Sequence, residues 1–164
     1  MKIAIISDIH DNLVNLKKCL NWCKNNNIAK IICCGDITNS ETLGVITQNF
    51  KKDIFLVKGN AEIYQNTEVD KCKNIKYLGK YGRIEIDKKQ IGICHEPFFI
   101  DDVLSLGNCN IVFYGHTHKP WIEKTDGVQK INPGTLGGVF QRATFAVWDT
   151  EKDNLELKLL EILV

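Results

Sequence analysis

The sequence predicts an α/β fold, and three features carry that expectation. Within the first sixty residues, short and continuously apolar runs alternate with amphipathic ones, the order of strands and crossover helices in a parallel sheet. Each apolar run stops at a polar cluster containing Asp, Asn or His. The carboxyl ends of parallel strands are where an open α/β sheet forms its ligand crevice. From about residue 74 the runs become shorter and closer together, which points to added antiparallel pairing.

Lys2 to Ser7 reads as a buried strand, because parallel strands covered on both faces stay apolar throughout. A helix is predicted over Asn12 to Asn25, with Leu13, Leu16, Leu20 and Cys23 on one stripe. The second strand is Ala29 to Cys34, followed by Gly35-Asp36. Ser40 is placed to cap a helix over Glu41 to Phe50. A third strand, Ile54 to Val57, runs into Lys58-Gly59-Asn60. Beyond it, Ile75 to Leu78 reads as a short strand, and Gly82 to Asp87 and Gln90 to Cys94 as a hairpin turning at Lys88-Lys89. A short helix around Ile100 to Leu106 precedes the strand Asn110 to Phe113. Trp121 to Lys124, Val128 to Ile131, Thr144 to Trp148 and Leu155 to Leu163 complete the expected strands. No repeat or linker interrupts residues 1–164, so one domain is expected.

The totals exclude several classes. At 44% hydrophobic and 25% charged residues the composition is that of an ordinary globular protein. No apolar run approaches the roughly 18 residues of a membrane span, and the apolar N-terminal run is too short for a signal peptide. A cytoplasmic location without membrane association is therefore expected. A net charge of +1 offers no field to gather nucleic acid, so no strong nucleic-acid binding is expected. The seven cysteines contain no Cys-x-x-Cys and cannot all pair; reduced, buried thiols are the expected state. A homo-oligomer is compatible with everything above.

The chemistry lies at five strand ends. Asp8 and His10 follow the first strand, Asp36 the second and Asn60 the third; His95 ends the hairpin, and His116 and His118 follow the next strand. All four histidines of the chain are in this set. In an extended segment, residues two apart point to one side, so His116 and His118 offer two nitrogens to one cleft, with Gly115 easing the turn. A donor set of His, Asp and Asn without thiolate suits manganese, iron, nickel or zinc. Seven candidate ligands exceed what one ion with an open position needs, which favours two.

Asp8-x-His10, Gly35-Asp36, Gly59-Asn60, His95 and Gly115-His116-x-His118 stand in the order of the calcineurin-like metallophosphoesterase motifs. The chain closely resembles the small bacterial and archaeal phosphodiesterases of that superfamily, the YfcE-like branch, over essentially its whole length. The resemblance implies a four-layer sandwich of two mixed β-sheets flanked by helices. It also implies two divalent transition-metal ions, manganese first, with nickel, iron or zinc as alternatives. Asp8, His10, Asp36 and His118 would hold one ion; Asp36 would bridge to a second, held also by Asn60, His95 and His116. Asp36, Asn60 and His95 are thus the expected catalytic centre. Asn132-Pro133-Gly134-Thr135 resembles a loop these proteins carry near the site, though a plain tight turn reads equally well. The implied reaction is hydrolysis of a small phosphodiester by a metal-bridging hydroxide, two ions lowering the pKa of a shared water.

Two positions depart from the family pattern. Many members carry a His directly after the motif Asn; here Ala61 stands there, followed by Glu62 in place of Asp. Without that general acid, phosphodiesters with acidic leaving groups are the expected substrates. Glu96 follows His95 where Gly is usual, and it could approach the second ion, block the pocket or face solvent. Pro97, Phe98 and Phe99 form either an apolar wall for a base or aryl group or part of the core. The alternative from another class is an interaction scaffold, since a retromer subunit with this fold has a degraded metal site. A repair nuclease is disfavoured by the near-neutral charge.

Overall fold

Strand β1 (Lys2–Ile6) is apolar at every position from Ile3 because both its faces are covered. Ile3 and Ile5 join a core between two sheets, whereas Ala4 and Ile6 join a second core under helices. The computed structural model describes residues 1–163. In chain order, β1 is followed by α1 (Leu13–Asn25), β2 (Lys30–Cys33), α2 (Ser40–Asn49), β3 (Ile54–Leu56), α3 (Asn66–Val69) and β4 (Ile75–Tyr77). Next come β5 (Tyr81–Ile86), β6 (Lys89–Cys94), α4 (Ile100–Ser105), β7 (Ile111–Phe113), β8 (Trp121–Thr125), β9 (Val128–Asn132), β10 (Thr144–Asp149) and β11 (Asn154–Leu159).

The strands form two mixed sheets, ordered β11-β10-β1-β2-β3-β4 and β5-β6-β7-β9-β8. In the first, β1 to β4 run parallel, and β10 closes against β1 antiparallel with Ile3 opposite Trp148. In the second, β6, β7 and β9 are parallel while β5 and β8 are antiparallel edges. Ile3, Ile5, Ile32, Ile93, Phe113 and Trp148 fill the space between the sheets. Leu16, Leu20 and Cys23 of α1 with Leu43 and Ile46 of α2 cover the outer face of the first sheet. Ile100 and Val103 of α4 cover the second. The layers are therefore helix, sheet, sheet, helix, as expected for the fold class.

Local chemistry moves several expected boundaries. Asn39, not Ser40, caps α2, its Oδ1 accepting from the Thr42 amide at 3.0 Å. The hairpin turns at Asp87-Lys88 (φ 51° and 64°), one residue earlier than Lys88-Lys89. The strand expected over Ile75 to Leu78 ends at Tyr77 and pairs parallel with β3 in the first sheet. The last strand stops at Leu159; Leu160–Ile162 is a 3-10 turn that buries Leu160. Four-residue α3 has no expected counterpart. Among the described residues no helix is long and apolar enough to cross a membrane.

Candidate metal centre

The carboxyl ends of β1, β2, β3, β6 and β7 meet at one edge of the sandwich. Backbone hydrogen bonds join their loops: Asp8 and Ile9 donate to Gly35 and Asp36 carbonyls at 3.0 and 2.8 Å, and Gly115 donates to His95 at 2.9 Å. Asp8, Asp36 and His95 are buried, and His10 and His118 are partly so. Asp8, His10, Asp36, His116 and His118 all have φ between 46° and 68°. Left-handed backbone is uncommon outside glycine and clusters at functional sites.

All seven expected residues come together in two linked groups. In the first, His118 Nε2 lies 3.0 Å from His10 Nε2 and 3.2 Å from Asp8 Oδ1. In the second, Asn60 Oδ1 lies 3.0 Å from His95 Nε2 and 2.8 Å from His116 Nδ1. Asp36 Oδ2 stands between them, 3.7 Å from His10 Nε2 and 3.3 Å from His95 Nε2. The ligand atoms of Asp8, His10 and His118, and those of Asp8, Asp36 and His95, each lie within 4.8 Å of one another. His116 and His118 thus diverge. Their strand ends at Phe113, and two left-handed turns, rather than an extended backbone, aim the rings apart.

The donor chemistry fits cations. His95 Nδ1 is 2.7 Å from the Cys34 carbonyl and His118 Nδ1 is 3.1 Å from that of Val139. A carbonyl only accepts, so Nδ1 of each ring is the donor there, and Nε2 is the nitrogen turned inward. Those Nε2 atoms face Asn60 Oδ1 and the carboxylates of Asp8 and Asp36. Asp8 Oδ1 is buried and accepts no hydrogen bond among the described residues. A cluster of carboxylate, amide and imidazole acceptor atoms favours positive charge among them, a proton or a cation. The electrostatics agree: burial opposes a charged His95, but Asp36, Asp8 and the Cys34 carbonyl together outweigh it and lift the imidazole pKa. Burial likewise pushes the Asp36 carboxyl up, and His95, the Ala61 amide and His10 together more than offset this, leaving it below its usual value. Asp8 beside His10 raises that imidazole against the effect of burial.

The pattern of the calcineurin-like phosphoesterase superfamily domain matches residues 1–153. The chain belongs to that superfamily. Phosphodiesterase MJ0936 of Methanocaldococcus jannaschii is 30% identical over 180 aligned positions, covering 98% of this chain and 100% of that protein. A solved archaeal phosphodiesterase superposes with a TM-score of 0.86 at 28% identity, covering 97% of this chain and 99% of the other. Vps29 from Entamoeba histolytica shares the fold, with a TM-score of 0.72 at 17% identity over 96% and 97% of the two chains.

Within this phosphoesterase, the glycines before the ligands serve close approach. A Cβ on Gly59 would lie 2.0 Å from Asp36 Oδ1, and one on Gly115 would lie 2.0 Å from Ser7 Oγ. Gly115 does what was expected of it: its φ is not positive, and having no Cβ it lets the chain turn close against Ser7 and Asp8. Glu62 is a brace that the sequence did not disclose. Its carboxylate accepts from the amides of Ile37 (3.1 Å), Thr38 (2.7 Å) and Gly59 (3.3 Å), tying the Asp36 loop to the Asn60 loop. The Asn132-Pro133-Gly134-Thr135 loop is a second brace. Asn132 Nδ2 donates to the Gly115 carbonyl at 2.7 Å, and Thr135 Oγ1 donates to that of Asp8 at 2.9 Å. Ala61 places no side-chain donor here; its amide donates to Asp36 Oδ1 at 2.8 Å. Glu96 joins neither ligand group, and its half-exposed carboxylate forms no ion pair among the described residues. Phe99 packs against Tyr81 as core, whereas Phe98 is exposed.

Proposed function

We propose that this chain is a metal-dependent phosphodiesterase acting on a small phosphodiester at a dinuclear centre. The observation that carries the reading is the convergence of ligand atoms: Asp8 Oδ1, buried and without a hydrogen-bond donor among the described residues, faces the inward Nε2 atoms, and Asn60 Oδ1 stands beside His95 and His116. Asp8, His10, Asp36 and His118 would hold one divalent ion. Asn60, His95 and His116 would hold a second, with Asp36 bridging. Ions of this kind, manganese foremost and nickel, iron or zinc as alternatives, supply Lewis acidity toward a phosphoryl oxygen and activate a water. Phosphodiesterase MJ0936, similar over its full length, supports the substrate class.

The chain's own residues set the rest. His95 and His118 are held in one tautomer by the Cys34 and Val139 carbonyls, so neither ring reorients before use. The Glu62 and Asn132 braces fix the distance between the two ligand groups. With Ala61 after Asn60, no imidazole stands beside the leaving group to give it a proton, which restricts good substrates to acidic leaving groups. A reducing compartment such as the cytoplasm suits seven free thiols, six of them buried. The scaffold alternative is less well supported, because all seven ligand positions converge.

Manganese-loaded protein tests this directly. Elemental analysis should return roughly two ions per chain, and an aryl phosphodiester should be cleaved far faster than an alkyl phosphomonoester. Absent metal together with no diester hydrolysis would favour the scaffold, while a strong monoester preference would refute the leaving-group reasoning.

A further inference from the structure

Phe140 is an anomaly beside the metal centre. It is 93% exposed, so its ring contributes almost nothing to the core. Its φ is 60°, left-handed backbone that an aromatic residue rarely adopts and that Gly or Asn would take with less strain. Neither observation is explained by folding. A backbone outlier held by its surroundings is reason to look for function.

Its surroundings do hold it. The Gly137 amide donates to the Asp8 carbonyl at 2.9 Å, and Asn12 and Asn15 donate to the carbonyls of Gly137 and Leu136 at 2.9 and 3.0 Å. His118 Nδ1 donates to Val139 at 3.1 Å, one residue before Phe140. The Phe140 ring then stacks on the His118 ring, with centroids 6.2 Å apart and planes inclined by 21°. The hydrogen bond that sets the tautomer of a ligand histidine thus also carries an exposed aromatic ring to the rim of the site.

We propose that Phe140 forms one wall of a subsite for a flat aromatic group carried by the phosphodiester, an aryl ring or a nucleobase. This deepens the phosphodiesterase reading and rests on it. The outer face of the ring is free, and aromatic rings pair in offset or edge-to-face geometry beyond what area burial alone provides. Base-on-aromatic stacking of this kind tolerates any base, so the subsite selects for flatness rather than for one nucleobase. The ring belongs to the loop whose Val139 carbonyl accepts from His118, and it already stacks on that imidazole at the rim of the site. Phe140 is a binding residue and takes part in no proton transfer.

The test compares bis(p-nitrophenyl) phosphate with methyl p-nitrophenyl phosphate, which have the same leaving group, on manganese-loaded protein. Phe140→Ala should lower kcat/KM for the bis-aryl diester about 3- to 10-fold more than for the methyl aryl diester, the size expected of one aromatic pair; Phe140→Trp should restore the difference. Calorimetric binding gives a readout without turnover. Wild-type protein should bind phenylphosphonate about 3- to 10-fold more tightly than methylphosphonate, and Phe140→Ala should bind the two nearly equally. Unchanged ratios in both assays would overturn the subsite while leaving the phosphodiesterase reading intact. A wild-type protein that cleaves neither diester would overturn both.

Discussion

Replacing Glu62 with Ala probes how the site is held together. The carboxylate accepts three backbone amides, from Ile37, Thr38 and Gly59, and thereby fixes the loops carrying Asp36 and Asn60. Hydrogen bonds to a charged acceptor contribute about 1.5–3 kcal/mol each, so three fully dry ones would total roughly 5–9 kcal/mol. Two considerations reduce this: Glu62 is half-buried, and the Gly59 contact is long at 3.3 Å. Water entering the space would satisfy part of the loss. The expected cost is about 3 kcal/mol, a large share of the roughly 5–15 kcal/mol that keeps a domain folded. With a urea slope of about 2 kcal/mol per molar, the unfolding midpoint should fall by about 1.5 M. Glu62→Gln keeps one accepting oxygen and should cost about half as much. Metal titration on the folded variants should show weakened binding in the same order, since the loops no longer hold the ligands at one spacing. An Ala variant within about 1 kcal/mol of wild type, binding manganese as tightly, would refute the bracing role.

Three further outcomes are expected. Asp36→Ala removes the oxygen standing between His10 and His95, so turnover and metal content should be lost while circular dichroism stays native; retained turnover would count against the bridging assignment. Gly59→Ala forces a Cβ to within 2.0 Å of Asp36 Oδ1 and 2.4 Å of the Asp36 amide nitrogen. It should cost about 3 kcal/mol, or roughly 6–12 °C in Tm by thermal melt, and a variant melting at the wild-type temperature would contradict the packing. Six of the seven thiols are buried, and burial pushes that of Cys94 up to about 12. Titration of native protein with Ellman's reagent should therefore find only Cys72 reacting quickly, with all seven reacting after denaturation.

Much of this was legible in the sequence because it is local. The unbroken apolar run from Ile3 to Ile6 announces a strand covered on both faces, and the polar clusters at Asp8, Asp36 and Asn60 mark strand ends. What was not legible depends on partners far along the chain. Which sheet takes Ile75–Tyr77 is decided by pairing with β3, and nothing within the strand specifies that. The hairpin turn was misplaced because Asp87-Lys88 adopts two left-handed residues without the glycine that usually signals them. Asn39 and Ser40 are both good caps, and only the hydrogen bond to Thr42 separates them. At the site, residue types were readable but their aim was not. His116 and His118 diverge through backbone angles that no spacing rule supplies, and Glu62 is a brace only because two distant loops meet around it. Phe140, a single aromatic in a glycine-containing loop, gave no signal.

The central position of β1 governs when this site can exist. Its two neighbours in the sheet are β2 and β10, the latter spanning Thr144–Asp149, and Asp8 is further held by Thr135 and Gly137. During synthesis β1 and its Asp-x-His are made well before β10, and until then they lack one of their two strand neighbours. During that interval their left-handed backbone is held from the β2 side alone, by the Gly35, Asp36 and Ile37 carbonyls. At synthesis rates of about 5–20 residues per second the wait lasts on the order of ten seconds. The Asp8 end of the ligand cluster is thus completed late, once Thr135, Gly137 and β10 have been made.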